Sequence, residues 1–219
     1  MRRQKIKDRC REGLLQYSRR AFETLPEIDK PEILDLGCGT GVVALEIAKM
    51  TNGNITAVDT DIDALEWFES KVRAQNLSDR ISIIRGSVFN VKIPLDGFDI
   101  IVAEGLLNII GFETGVKSFS AWLRKEGYFI IHDELKRREN KLRIINKHHY
   151  KLINSFVLDE NVWWKHYCSI LEDILNCERA EMKTEEEFQR TYAMELSELE
   201  LFKRKPAQFR SIYYVLKKI

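Results

Sequence analysis

Residues Glu32–Met50 read EILDLGCGTGVVALEIAKM. A short apolar run ends in Asp35-Leu36-Gly37, passes through Cys38-Gly39-Thr40-Gly41 and opens into Val42, Val43, Ala44, Leu45, Ile47 and Ala48. That order predicts a buried strand, a glycine turn and the start of an apolar helix. Such a junction lets backbone N–H groups and a helix N-terminus come close to a polar ligand. The spacing is G-x-G-x-G. A dinucleotide fingerprint needs G-x-G-x-x-G, and its last glycine position is occupied here by Val42. Asp35 puts a carboxylate at the strand end, where it can attract a cationic ligand group, fix the turn backbone, or do both.

Working outward, the alternation of strand and helix signals continues. Lys5–Leu25 reads as one amphipathic helix, and Pro26 and Pro31 bracket the connection into the first strand. After Asn52-Gly53-Asn54, residues Asn54–Asp59 read as a second strand, and Asp61 or Asp63 as the cap of a following helix. A third strand is expected at Ile81–Ile84. The near-continuous apolar run Phe98–Ala103 fits a central parallel strand buried on both faces. A helix around Glu113–Leu123 and a strand at Tyr128–His132 follow. This pattern predicts an α/β fold, doubly wound around a mostly parallel sheet. Beyond it, Glu134–His148 reads as a helix, Tyr150–Leu158 as a strand, Asn161–Cys177 and Thr184–Lys203 as helices, and Phe209–Leu216 as a last strand. No linker or repeat divides the chain. The 219 residues are expected to form one domain, with a helical arm over 1–30, a ligand-binding core over 31–134, and the end of the sheet with a helical insertion near 161–204 over 135–219.

The formal net charge of +1 gives no overall drive toward nucleic acid or a membrane. The basic residues near the start, Arg2 to Arg20, read best as a solvated helix face, with RNA or an acidic ligand as the other reading. The four cysteines show no C-x-x-C pair, which fits reduced thiols and a cytoplasmic protein. No apolar stretch is long enough to span a bilayer. His148-His149 lacks accompanying ligands at metal spacing, so no metal is expected.

Asp59 is the second anchor. It ends the second strand 22 residues after Gly37 (59 − 37), where an acidic group can receive two ribose hydroxyls. NAD and S-adenosylmethionine both carry such a ribose. Three segments in order, ILDLGCGTG at 33–41, Val58-Asp59 and FDIIVAE at 98–104, are similar to the successive motifs of class I S-adenosylmethionine-dependent methyltransferases. The resemblance covers about residues 30–134. It extends less specifically to a small subgroup of substrate-undefined methyltransferases through Ala103-Glu104-Gly105, Asn108–Phe112, Phe156–Trp163 and His166-Tyr167.

The resemblance implies a seven-stranded Rossmann-like sheet whose last strand is antiparallel, with the cofactor over the carboxyl edges of the first strands. It implies S-adenosylmethionine as cofactor and S-adenosylhomocysteine as product. The expected cofactor residues are Asp35, Gly37, Cys38, Gly39, Thr40, Gly41, Asp59, Thr60, Ser87, Val88 and Glu104. Where the family often carries Gly-Asp-Ala, this chain has Gly86-Ser87-Val88, which weakens the adenine contact. Glu104 is the expected catalytic group, orienting or deprotonating an acceptor, with a structural or cofactor-positioning role beside it. Asn108, Trp163, His166 and Tyr167 are candidate substrate contacts, although an aromatic stripe at helical spacing is more often packing. His132 and Asp133 could reach the same pocket or serve only the structure. Nucleic-acid amino methyltransferases carry an acidic-or-amide residue, two prolines and an aromatic after the fourth strand. Ala103-Glu104-Gly105-Leu106 does not, so the acceptor is expected to be a small molecule. An NAD-binding oxidoreductase and a cofactor-binding module without transferase activity remain the alternatives, as do monomer and homodimer.

Overall fold

In the computed structural model, residues 2–219 are described. The chain opens with α1 (Arg2–Glu12) and α2 (Leu15–Phe22), then runs β1 (Glu32–Leu36), α3 (Val42–Met50), β2 (Asn54–Asp59), α4 (Ile62–Ala74) and β3 (Ile81–Arg85). The second half of the core is β4 (Phe98–Glu104), α5 (Leu107–Ile110), α6 (Phe112–Phe119) and β5 (Leu123–Glu134), followed by α7 (Arg138–Lys147) and β6 (Tyr150–Leu158). A helical block separates β6 from β7 (Ser211–Lys218). It comprises α8 (Glu160–Trp163), a π-helical turn (Trp164–Cys168), α9 (Ser169–Glu181), α10 (Glu185–Thr191) and α11 (Ala193–Arg204).

The seven strands form one sheet in the order β3-β2-β1-β4-β5-β7-β6. Neighbours from β3 to β5 pair parallel, and β7 alone runs antiparallel, between β5 and β6. This is the seven-stranded arrangement with an antiparallel last strand that the motifs imply. Strand order reverses between β1 and β4, so the carboxyl ends of β1, β2 and β4 surround a topological switch point, the usual ligand crevice of open α/β sheets.

Both faces of the sheet are apolar because successive residues of each strand point to opposite sides. Ile33, Ile100, Val102, Ile130 and Val215 join α2, α3 and α4 in one core. Leu34, Ile101, Ala103, Ile131 and Tyr214 join α6 and α7 in the other. A third cluster lies off the sheet and ties α1 to the insertion through Ile6, Cys10, Cys168, Leu171, Phe188 and Phe202.

Differences from the sequence expectations fall mainly in the helical parts. The single helix expected over Lys5–Leu25 breaks at Gly13, where a β-carbon would stand 2.0 Å from the His166 carbonyl oxygen. Only a glycine lets the π-turn come that close. The helix expected over Asn161–Cys177 contains that π-turn, and the one over Thr184–Lys203 breaks at Tyr192, whose buried ring donates its hydroxyl to Glu178 at 2.5 Å. The strand expected at Tyr128–His132 extends to Leu123–Glu134 with an irregular register between Phe98 and Ile100 of β4.

Candidate active site

Three carboxylates stand at strand ends around the switch point. Asp35 is the fourth residue of β1, Asp59 ends β2 and Glu104 ends β4. They open into a cavity of about 900 Å³. Its near wall is the glycine turn Gly37–Thr40 with Val42, Asp59 and Asp61. The far wall comes from α1 (Ile6, Lys7, Cys10, Arg11) and from the insertion, chiefly Tyr167, Leu171 and the α11 face from Ala193 to Leu201.

The glycine turn divides its labour. Gly37, Gly39 and Gly41 all have left-handed φ values, of 72°, 53° and 75°. At Gly41 a β-carbon would lie 2.1 Å from the Phe68 ring, so the glycine is required by the packing of α4 on α3. At Gly39 nothing lies within 4 Å of that point, and the backbone faces open cavity. Asp59 holds the turn from the neighbouring strand. Its Oδ2 accepts from Gly39 N at 2.7 Å, and its Oδ1 accepts from Thr60 N at 2.6 Å and Asp61 N at 2.9 Å. Asp61 caps α4 by accepting from Ala64 N, leaving Asp59 to the turn and the cavity.

Asp35 and Glu104 are buried, at 3% and 9% exposure, and Asp35 Oδ2 and Glu104 Oε1 have no hydrogen-bond partner. Burial pushes the Asp35 carboxyl up to about 8. Glu104 and Asp59 add to the shift and Arg11 opposes it. Burial also raises Glu104, against Arg11 and the hydroxyls of Ser18 and Tyr213. Buried carboxyl oxygens left without a partner at a cavity wall fit a site completed by a ligand cation or donor. The lining of the large cavity carries six acidic residues against two cations, Lys7 and Arg11, with Asp35 protonated at neutral pH and Glu195 paired with Arg3. A cationic ligand is favoured there.

A second cavity of about 360 Å³ adjoins the first. Arg11, Val43, Glu104, Tyr167, Glu198, Leu201 and Phe209 line both. Asn108, His132, Asp133, Trp163 and Ser211 line the smaller one alone. The His132 ring stacks on Tyr213 with centroids 4.2 Å apart, its Nε2 is 2.8 Å from Ser211 Oγ, and Trp163 Nε1 donates to the same oxygen at 3.0 Å. Burial lowers His132 to about 3, so its ring is neutral at physiological pH. Asp133 pairs with the buried Lys141 at 2.6 Å.

The expected site residues distribute as follows. Asp35, Gly37, Cys38, Gly39, Thr40, Asp59 and Glu104 line the large cavity, and Asn108, Trp163 and Tyr167 the smaller one. Gly41 sits behind the turn. Thr60 is exposed and bonded to Asp59, Ser87 Oγ accepts from Phe89 N, and Val88 is buried in the second core. None of these three lines either cavity. His166 also lies outside both, with its Nδ1 3.1 Å from Gln16 Nε2 and its ring edge-on to Tyr17. Alternate faces of a helix are not available to a sequence reading when a π-turn adds a residue to the repeat. Arg11, Glu198 and Tyr213 are the residues the sequence did not single out. Only the surplus of basic residues near the start pointed toward Arg11. Among the described residues, no group of three or more His, Cys, Asp or Glu side chains is placed to hold a metal, and no helix is long and apolar enough to cross a membrane.

A seven-stranded switch-point sheet with a glycine turn and carboxylates at the ends of β1, β2 and β4 defines a class I methyltransferase fold. Residues 33–127 match the methyltransferase domain family. Over 141 residues it is 28% identical to (S)-coclaurine N-methyltransferase of Thalictrum flavum subsp. glaucum, covering 64% of this chain and 35% of that protein. The chain thus spans about a third of that relative's length. Two solved structures share the fold. A methyltransferase from Thiobacillus denitrificans in complex with S-adenosylhomocysteine aligns with a TM-score of 0.70 at 15% identity, over 95% of this chain and 91% of that one. The [4+2]-cyclase SpnF aligns with a TM-score of 0.78 at 14% identity, over 93% and 81%.

Proposed function

We propose that this protein is a cytoplasmic enzyme that moves the methyl group of S-adenosylmethionine to a small-molecule acceptor. The observation that carries the reading is the pair of buried carboxyl groups, Asp35 and Glu104, each with one oxygen unpartnered, in an acidic cavity whose floor is the open backbone at Gly39. That chemistry fits a ligand with sulfonium and ammonium charges. It suits the diphosphate of NAD poorly, because the acidic residues of the lining outnumber its two cations, Lys7 and Arg11. The four free thiols suit a reducing compartment.

When bound, the cofactor supplies an already activated methyl group. The chain's own residues then bind, align and exclude water. Asp59 would receive the ribose hydroxyls with the lone pairs its backbone bonds leave free, and Gly39 would allow close approach of the methionine portion. Asp35 would face the cationic groups. Glu104, lining both cavities, stands where donor and acceptor must meet. Tyr167, Leu201 and Phe209 close the space from the insertion side and limit water. Asn108 and Trp163 line the cavity assigned to the acceptor.

Isothermal titration tests this directly. S-adenosylhomocysteine should bind in the micromolar range or tighter, and NAD should not bind. Asp59→Ala should weaken that binding by about 1.5–3 kcal/mol, the scale of hydrogen bonds to a charged group. NAD binding in place of S-adenosylhomocysteine would overturn the reading. So would tight cofactor binding with no methyl transfer to metabolite, protein or RNA pools, the behaviour of a silent binding module.

A further inference from the structure

The smaller cavity carries information about the acceptor. Its charges are largely matched within the protein. Asp133 pairs with Lys141 at 2.6 Å, Lys136 with Glu134 at 3.2 Å and Arg210 with Glu160 at 3.5 Å. Glu198 is bonded by the Tyr167 hydroxyl. Glu104 is the exception. It is nine-tenths buried, its Oε1 has no partner, and it stands at the wall between the two cavities. Arg11 lines the same cavity and its charge opposes the effect of burial on Glu104, without a direct ion pair between them.

We infer that the acceptor is a small amine, received with its nitrogen at Glu104 and its apolar body against Trp163 and His132. This rests on the methyltransferase reading. Three kinds of acceptor were weighed by charge. A carboxylate or phosphate brings an anion to a buried anion. A phenol must become a phenolate to react well, and Glu104 disfavours that ion. An amine gains positive charge as it reacts, and a fixed carboxylate beside the nitrogen stabilises that charge where water is excluded. Trp163 and His132 give the cavity a wall that suits the apolar body of an amine bound as its free base. His132 remains uncharged, so it adds no repulsion. The volume of about 360 Å³ is at the low end of the roughly 300–1,000 Å³ of small-molecule sites.

The step balances without a further reactant. The amine lone pair forms the new N–C bond as the sulfonium C–S bond breaks, and that bond's electron pair stays on sulfur as the thioether. The resulting N-methylammonium group gives its proton to Glu104, which passes it to solvent.

The experiment uses the full chain with methyl-labelled S-adenosylmethionine and three equimolar panels of small probes. One holds primary and secondary amines of aliphatic, aromatic and amino-acid type, one phenols and alcohols, and one carboxylic acids. Label should appear on nitrogen, at least about tenfold above the other panels, as expected where one charged contact separates the classes. Label on oxygen or carbon, or an unlabelled amine panel with a chain that binds S-adenosylhomocysteine, overturns the amine assignment and leaves the methyl-donor reading in place. Loss of S-adenosylhomocysteine binding itself would instead remove the methyl-donor reading. A binding measurement stands apart from turnover. In the S-adenosylhomocysteine-loaded protein, Glu104→Gln should lower affinity for the best amine by about tenfold or more, and more than it lowers affinity for S-adenosylhomocysteine. Unchanged amine affinity overturns the role given to Glu104.

Discussion

The strand-edge wall of the large cavity and the helical wall opposite hold their shapes by different means. On the strand edge the backbone does most of the work. Gly37, Gly39 and Gly41 take left-handed φ values, Asp59 ties three N–H groups, and Asp61 caps α4. The determinants lie within thirty residues of one another. On the helical wall the determinants are side-chain pairs far apart in sequence. Asp8 of α1 accepts from Trp67 Nε1 at 2.7 Å and Lys71 Nζ at 2.6 Å on α4. Arg3 of α1 reaches Glu195 of α11 at 2.7 Å. One wall is written in a local motif and is stiff. The other is assembled from long-range contacts, and such regions open more readily.

The largest expected effect separates two glycines within the stiff wall. Gly41→Val drives a branched side chain into the Phe68 ring at a left-handed φ. Overpacking and backbone strain together should cost about 3–5 kcal/mol, read as a large drop in thermal stability. Gly39→Ala meets open space and should cost only about 1–2 kcal/mol of strain, while its methyl group stands in the cavity and lowers S-adenosylhomocysteine affinity by about tenfold or more. Equal losses of stability in the two variants would mean the turn has no ligand-facing side.

The contrast between the walls also explains what the sequence could show. The strands, the β3-to-β5 alternation and the Asp61 cap were readable because apolar period and glycine spacing are local signals, and β2 and β6 match their expected limits residue for residue. Asp35, Asp59 and Glu104 were readable because strand ends in this topology converge on one point. Arg11, Glu198 and Tyr213 were not, because nothing near them in sequence says that α1 and α11 meet over the cavity or that Tyr213 of β7 reaches Glu104. His166 illustrates the limit in the other direction. It shares a helical stretch with Tyr167, and the π-turn leaves Tyr167 in the cavity and His166 against Gln16.

A middle-sized effect concerns the conflict between stability and binding within the stiff wall. Asp35 has a folded pKa of about 8, above its unfolded value of about 3.9, with Glu104, Asp59 and Cys38 facing it and Arg11 in opposition. The folded state therefore holds a proton that the unfolded state releases. Asp35 is least harmful to stability below about pH 4, and stability falls as pH rises toward 8 and levels beyond it. Asp35→Asn should leave the protein almost unchanged near pH 4.5 and raise its stability by about 1–3 kcal/mol at pH 8.5, the usual cost of an unsatisfied buried group. The same change should weaken S-adenosylmethionine binding. In the unmodified protein, binding near pH 7 should expel a proton from Asp35, seen as heats that differ between buffers of different ionisation enthalpy. A variant no more stable at pH 8.5 would show that Asp35 is not strained in the folded chain.

The smallest effect probes the assembled wall. Asp8→Ala removes the acceptor shared by Trp67 and Lys71, charge-assisted bonds that are about 1.5–3 kcal/mol in a buried setting and less here because Lys71 is partly solvated. Because α1 also packs through Ile6 and Cys10 on the insertion, the helix should stay folded and dock less firmly. The loss of global stability should then be under about 1.5 kcal/mol, with the clearest change in hydrogen exchange. Amides of Arg2–Glu12 should exchange faster while those of α3 keep their protection. If S-adenosylhomocysteine binds between the two walls as proposed, it should restore slow exchange in α1, since a ligand that binds only the closed form shifts the population toward it. If α3 loosens together with α1, the two walls are one cooperative unit. The division between a locally encoded wall and an assembled one would then describe how the sequence can be read, and not how the molecule moves.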